Sequence, residues 1–267
     1  MSFTTVAGPA GQLHVDDGGG SGLPLVFLHS FSGSSAHWSA QLEYFRPKHR
    51  CIAFDLRGHG KSEMPKDLGT LTVEQMAGDV AAVVNKLEID PFVLIGHSIG
   101  GAIGVAFAAS HPDRLAGLVL VGAPGKTPEE QAEQVLTAMN ADYEGVTAKY
   151  WEQLLTQAKP PVHEQISREM RMLPKDVGLA LIKAIFAFDP LPGLAAYKGQ
   201  RMAIVTGEKD QPNDLHKQAK GLAHRRILGT SHWPHMDKPE EFNAALETFL
   251  DMVTTSTEAL PNRHAAE

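Results

Sequence analysis

Apolar residues along this chain fall into two periods. Five short unbroken runs, LPLVFLH (23–29), CIAFD (51–55), FVLIG (92–96), LAGLVLVG (115–122) and RMAIVTG (201–207), predict strands buried on both faces. Longer segments repeat at helical spacing instead. In VEQMAGDVAAVVNKL, Val73, Met76, Ala77, Val80, Val83, Val84 and Leu87 line one face, and Thr72 with Gln75 fits a capping box. PEEFNAALETFLDMV (239–253) is a second amphipathic helix, with Pro239 in its first turn. Strand and helix in alternation demand crossover connections, so the predicted class is α/β, with a mostly parallel central sheet flanked by helices.

The alternation stops between Pro124 and about Lys198, where the pattern predicts helices alone, over 128–140, 147–158, 161–173 and 176–187. Thr127-Pro128-Glu129-Glu130 supplies a cap, a proline and a capping-box start for the first of them. A helical block inserted between two strands reads as a cap over one edge of the sheet. The expected division is a core of residues 1–123 and 199–267 and an inserted helical cap, or lid, of residues 124–198. AHRRIL (223–228) reads as a short strand, DDGGGSG (16–22) as a flexible turn, and the tail from 254 to 267 as loosely ordered.

Composition narrows the class of function. With 267 residues, 43% of them hydrophobic, the chain can bury a substantial core. The net charge of −7 and the absence of long single-sign runs argue against nucleic acid or an anionic membrane surface as partner. Cys51 is the single cysteine and reads as a small buried hydrophobe, so nothing demands an oxidising compartment. The first residues lack the basic and apolar regions of a signal peptide, and no apolar stretch reaches the roughly 18 residues of a membrane span. The expected location is cytoplasmic.

The chemistry concentrates at Gly96-His97-Ser98-Ile99-Gly100, which satisfies G-x-S-x-G. A buried strand precedes it, and a helix opening on Gly100, Gly101, Ala102 and Gly104 follows. That context is a nucleophile elbow, a strained strand-to-helix turn that presents the serine hydroxyl at the carboxyl end of the sheet. A serine needs a base, and the base an orienting acid, in the chain order Ser, Asp or Glu, His. Glu208 and Asp210 follow the strand ending at Gly207, and His232 lies in the loop before the last helix.

These segments together resemble the α/β-hydrolase fold family, in its compact form with a helical cap after the sixth strand. GHSIGG is similar to the family's elbow and VFLHSFSGSSAHW to its oxyanion loop. FDLRGHGKS resembles the D-x-R-G-x-G-x-S loop, VTGEKDQ the acid strand, and GTSHWPHMDKPEEF the histidine segment. The resemblance runs from about residue 11 to 252. It implies Ser98 as nucleophile, His232 as base, Asp210 as the residue orienting the imidazole, and an oxyanion hole from the backbone N–H groups of Phe31 and Ile99. Each such donor is worth roughly 3 kcal/mol in the transition state. Ser30 departs from the family, standing where glycine is usual.

Glu208 competes with Asp210 for the acid position, and His235 with His232 for the base, although the Gly-x-x-His register favours His232. His97, His29 and His59 read as structural histidines, and Asp79 as a solvated or packing residue. GHGKS (58–62) lacks the glycine that a phosphate loop needs, because Asp55 holds that place. HEQIS (163–167) has Ser167 where a zinc helix has its second histidine. No cofactor and no metal are expected. The expectation is a serine hydrolase of a small carboxylic ester, thioester or lactone, acting through an acyl-enzyme on a small-molecule acyl substrate. The alternatives are a triad-bearing ligand receptor with slow turnover, or a C–C hydrolase, perhydrolase or cofactor-free oxygenase on the same fold.

Overall fold

The computed structural model describes residues 2–258. Strands β1 (Ser2–Gly8), β2 (Gly11–Gly19), β3 (Gly22–Leu28), β4 (His49–Phe54), β5 (Phe92–His97), β6 (Leu115–Val121), β7 (Gln200–Val205) and β8 (His224–Arg226) form one sheet in the order β1-β2-β4-β3-β5-β6-β7-β8. From β4 onward in that order all neighbours are parallel, while β1 and β2 form an antiparallel hairpin whose second strand runs antiparallel to β4. The five long apolar runs became the central strands. The hairpin is additional to the expectation: Asp16–Gly19 of the segment read as a flexible turn continue β2. Its signal is the alternation that buries Val6, Leu13 and Val15 on one side.

Helices α1 (Ser39–Phe45), α2 (Val73–Lys86) and α3 (Ile99–Ser110) connect the central strands. After β6 come α4 (Glu129–Ala141), α5 (Tyr143–Leu154), α6 (Pro160–Met170), α7 (Lys175–Ala187) and α8 (Pro190–Ala196), and after β7 come α9 (Leu215–Gln218), α10 (Pro234–Asp237) and α11 (Pro239–Glu258). Period two sorts the strand side chains between two apolar layers. Val26 and Leu28 pack with α2 and α3, whereas Leu25 and Phe27 pack with Phe242, Leu246 and Phe249 of α11. Cys51 is fully buried in the second layer, and burial pushes its thiol up to about 12, so it serves as a hydrophobe.

Thr72 caps α2 as its sequence predicts, Oγ1 accepting from Gln75 N–H at 3.2 Å. Thr127 does not cap α4, which starts one residue later behind Pro128. The helix at 147–158 is found at Tyr143–Leu154, where the Asp142 carboxylate accepts from Gly145 N–H at 2.9 Å and so starts the helix earlier. The C-terminal tail is helical as far as Glu258, and its remainder lies outside the described residues. No single helix among the described residues is long and apolar enough to cross a membrane.

The D-x-R-G-x-G-x-S segment is a structural knot. Asp55 accepts from Ser35 N–H at 2.7 Å and from Lys61 N–H at 2.8 Å. Asp79, read from sequence as solvated or packing, instead forms a two-pronged ion pair with Arg57, at 2.5 and 2.7 Å, with both side chains almost completely buried. Its partner lies 22 residues back on another element, which a helix pattern does not reveal. Asp79→Ala strands a buried guanidinium, so it is expected to cost about 3–5 kcal/mol, read as a lower urea midpoint at unchanged slope.

Candidate active site

Every predicted site residue stands at the carboxyl edge of the parallel strands. Ser98 follows β5, Phe31 lies in the loop after β3, Asp210 in the loop after β7, and His232 in the loop after β8. Ser98 has φ 54° and ψ −117°, a conformation that L residues avoid, and its N–H donates to Val121 O at 2.8 Å. The two flanking glycines permit this turn. A Cβ at Gly96 would lie 2.2 Å from Gly100 O, and one at Gly100 would lie 2.7 Å from both Leu28 O and His29 O. Ile99 is the first residue of α3, so its N–H has no partner within the helix.

Ser30 takes no left-handed conformation, and Ser32, two residues later, has φ 52° instead. A side chain at position 30 is therefore accommodated without backbone strain. Its Oγ accepts from the Trp233 indole N–H at 3.3 Å. His29 fixes this loop from behind: Nδ1–H donates to Ser30 O at 2.7 Å, while Nε2 accepts from Leu56 N–H at 2.8 Å. Those partners require a neutral ring. Burial, aided by the neighbouring His59, holds its pKa down to about 3.

His232 is held through its backbone. Its N–H donates to Leu154 O of α5 at 2.9 Å, and its carbonyl accepts from His97 Nε2–H at 2.8 Å. The structural role expected of His97 is thus a tie between elbow and base loop. Burial depresses the His232 imidazole to about 4, so it is neutral near pH 7. Ser98 and His232 line the same two cavities beneath the helices that follow β6, although no hydrogen bond joins them among the described contacts. The larger cavity, of about 850 Å³, carries apolar residues such as Val135, Met139, Ile182 and Phe186 on one wall. His235 is fully buried and stacks on Trp38 at 4.1 Å, outside both cavity walls.

Asp210 does not meet the role expected of it. It sits at the predicted strand end, but its carboxylate is paired with His216 at 3.0 Å, with Lys217 at 3.3 Å and with Arg226, not with His232. These partners hold its carboxyl below the ordinary range, the His216 hydrogen bond foremost. Arg226, on the adjacent strand, also donates to Gly207 O at 2.6 Å and so clamps the loop in this orientation. Glu208, the rival acid, accepts from Gln157 Nε2 at 3.0 Å and is not bonded to the imidazole either. His232 Nδ1 instead meets Thr206 Oγ1, at 3.4 Å.

One contributor escaped the sequence reading. Asp237 is fully buried and accepts from Ser231 N–H at 2.8 Å, from Ser231 Oγ–H at 2.5 Å and from Lys159 N–H at 2.8 Å. It thereby fixes the residue before His232 and the start of α6 together. Its only sequence signal is an acid immediately before the last helix in HMDKPEEF. As for metals, Asp210, Asp214 and His216 bring one ligand atom each within 4.8 Å of one another. Lys217 and Arg226 already neutralise Asp210 there.

Comparison with known proteins agrees with this architecture. A sequence profile of the α/β hydrolase fold matches residues 24–149. A putative 2-succinyl-6-hydroxy-2,4-cyclohexadiene-1-carboxylate synthase of Bacillus subtilis is 26% identical, over 89% of this chain and 94% of its own. The 3-oxoadipate enol-lactonase 2 of Acinetobacter baylyi is 25% identical, over 85% of this chain and 88% of its own. The solved structure of a thermophilic esterase from Thermogutta terrifontis is similar with a TM-score of 0.77 and 26% identity, covering 95% of this chain and 99% of that one. Sheet order, strained elbow and matched segment coincide: the chain has the α/β-hydrolase fold.

Proposed function

We propose that this protein is a serine hydrolase of carboxylic esters, thioesters or lactones, working through an acyl-enzyme on Ser98. The observation that carries this reading is the left-handed Ser98 at an elbow whose hydroxyl shares its cavities with a half-buried, neutral imidazole. The similarity to an enol-lactonase and an esterase supports the choice of bond.

Ser98 Oγ attacks the substrate carbonyl carbon while His232 accepts its proton. The carbonyl oxygen becomes an oxyanion held by the Phe31 and Ile99 N–H groups, each contributing about 3 kcal/mol. The tetrahedral adduct collapses as His232 protonates the departing oxygen or sulfur, leaving the acyl group on Ser98. Water then enters from the side vacated by the leaving group, gives its proton to His232, and the second collapse returns that proton to Ser98. The backbone ties at Leu154 and His97 hold the imidazole in place through both steps.

A fluorophosphonate probe is expected to form one covalent adduct, mapped by mass spectrometry to the peptide containing Ser98. Labelling of another serine, with Ser98 unmodified, would remove this reading. The synthase relative favours a second reading, in which His232 acts as a base on a substrate that never bonds to Ser98.

A further inference from the structure

The two cavities meeting at Ser98 differ greatly in size, about 850 Å³ against about 30 Å³. The small one is walled by Phe31, Trp151, Leu154, Ile182 and Trp233. The Phe31 and Trp151 rings stand 5.3 Å apart, those of Trp151 and Trp233 6.3 Å apart, and all three residues are buried. Trp233 is further fixed through its indole N–H on Ser30 Oγ, and its ring meets that of His232 edge-on at 5.3 Å. A space of this size admits about one or two water-sized groups, enough for a methyl but not for a long acyl chain. Such aromatic walls resist widening, because overpacking a filled site forces side chains off their rotamers.

Two arms of the tetrahedral carbon must be divided between these spaces. The oxyanion points at the Phe31 and Ile99 amides, which leaves the acyl substituent and the leaving group. The leaving group needs an exit while the acyl-enzyme persists, and water must return along the same path to reach His232. The large cavity, of about 850 Å³, offers by far the wider path. The niche, of about 30 Å³, contains the oxyanion-loop residues Ser30 and Phe31, beside which the carbonyl carbon must sit.

Resting on the hydrolase reading above, the geometry points to an acetyl esterase: the niche takes the methyl of an acetyl group and the large cavity a bulky, partly apolar alcohol. The net reaction is hydrolysis of the acetate ester with water to acetate and the free alcohol. The acyl C–O bond breaks, its electron pair leaves with the alcohol oxygen, and that oxygen takes a proton from His232. Trp151 is the specificity-determining residue, since it stands between Phe31 and Trp233 and closes the niche from the side of α5.

Two isomeric esters test the division. Hexyl acetate and ethyl hexanoate have the same atoms and near-equal hydrophobicity but place the long chain on opposite sides of the carbonyl. Initial rates by pH-stat are expected to give a kcat/KM for hexyl acetate roughly 10–200-fold above that for ethyl hexanoate. Trp151→Ala is expected to move this ratio toward ethyl hexanoate by at least about tenfold. If thermal melting shows that Trp151→Ala does not fold, Trp151→Leu, which removes less packing, widens the same niche and takes its place. Equal or faster turnover of ethyl hexanoate by the natural protein, or a ratio unmoved in the folded widened variant, overturns the assignment while leaving the hydrolase intact. Failure to turn over either isomer and p-nitrophenyl acetate, with no fluorophosphonate adduct at Ser98, instead removes the hydrolase reading and the assignment with it.

Discussion

Ser98→Ala is expected to lower kcat/KM on p-nitrophenyl acetate by on the order of 10⁴-fold or more, with the thermal transition little changed. The substitution removes one oxygen and leaves the rest of the site standing. The left-handed backbone at position 98 already carries a Cβ, so alanine adds no new steric demand there. The Ile99 and Phe31 amides, the His97 tie and both cavities persist, and they account for whatever rate remains over water. An alternative without the acyl-enzyme has a different signature. If His232 works as a base on the substrate directly, Ser98→Ala keeps activity within about tenfold and His232→Ala abolishes it, and the loss expected here would not be seen.

Acidification is expected to destabilise the protein by several kcal/mol between about pH 6.5 and pH 4, on the order of a 10 °C fall in Tm. His29, His59, His97 and His235 are buried and His232 is half-buried, and desolvation holds all five imidazoles below the ordinary value. His29 is held at about 3 and His232 at about 4. The direction follows from proton counting. Below pH 6.5 the unfolded chain protonates these rings and the folded chain does not, so stability falls as pH falls until the folded values are reached. Protonation of His29 has a visible consequence, since Nε2 becomes a donor and can no longer accept the Leu56 N–H behind the oxyanion loop. Thermal melts from pH 7.5 to 4.5 measure the effect, and a Tm constant across that range would contradict it.

The same reasoning bears on the acid residue. With Asp210 engaged by His216, Lys217 and Arg226, no carboxylate among the described residues is bonded to the His232 ring, and the acid limb of kcat/KM should lie well below 6.5. A limb near or above 6.5 would indicate a carboxylate against the ring during turnover, and Asp210, at the predicted register after β7, is then the candidate.

Much of this was legible without coordinates because it is local. The five apolar runs predict the central strands, since burial on both faces leaves no alternation. The elbow is written in six consecutive residues, GHSIGG, because its geometry depends on which neighbours lack a Cβ. The helices between β6 and β7 were visible from their period, and their ends moved by a few residues where a proline or the Asp142 carboxylate decided the first turn. The N-terminal hairpin was missed because its alternation is short and glycine-rich, and its pairing with β4 is made by residues some 35 positions away.

What the sequence by itself determined is the order of chemical groups along one edge of a parallel sheet: the loop after β3, serine, acid-bearing loop, histidine. Chain order and strand ends suffice for that, since each crossover returns the chain to the same edge. What only the tertiary structure decided is where each side chain points once it arrives there. Arg226 captures Asp210, Asp79 finds Arg57, Asp237 gathers Ser231 and Lys159, and Trp151 closes against Phe31. Each of these contacts joins residues on different elements, and its strength depends on distances and burial that no sequence period encodes.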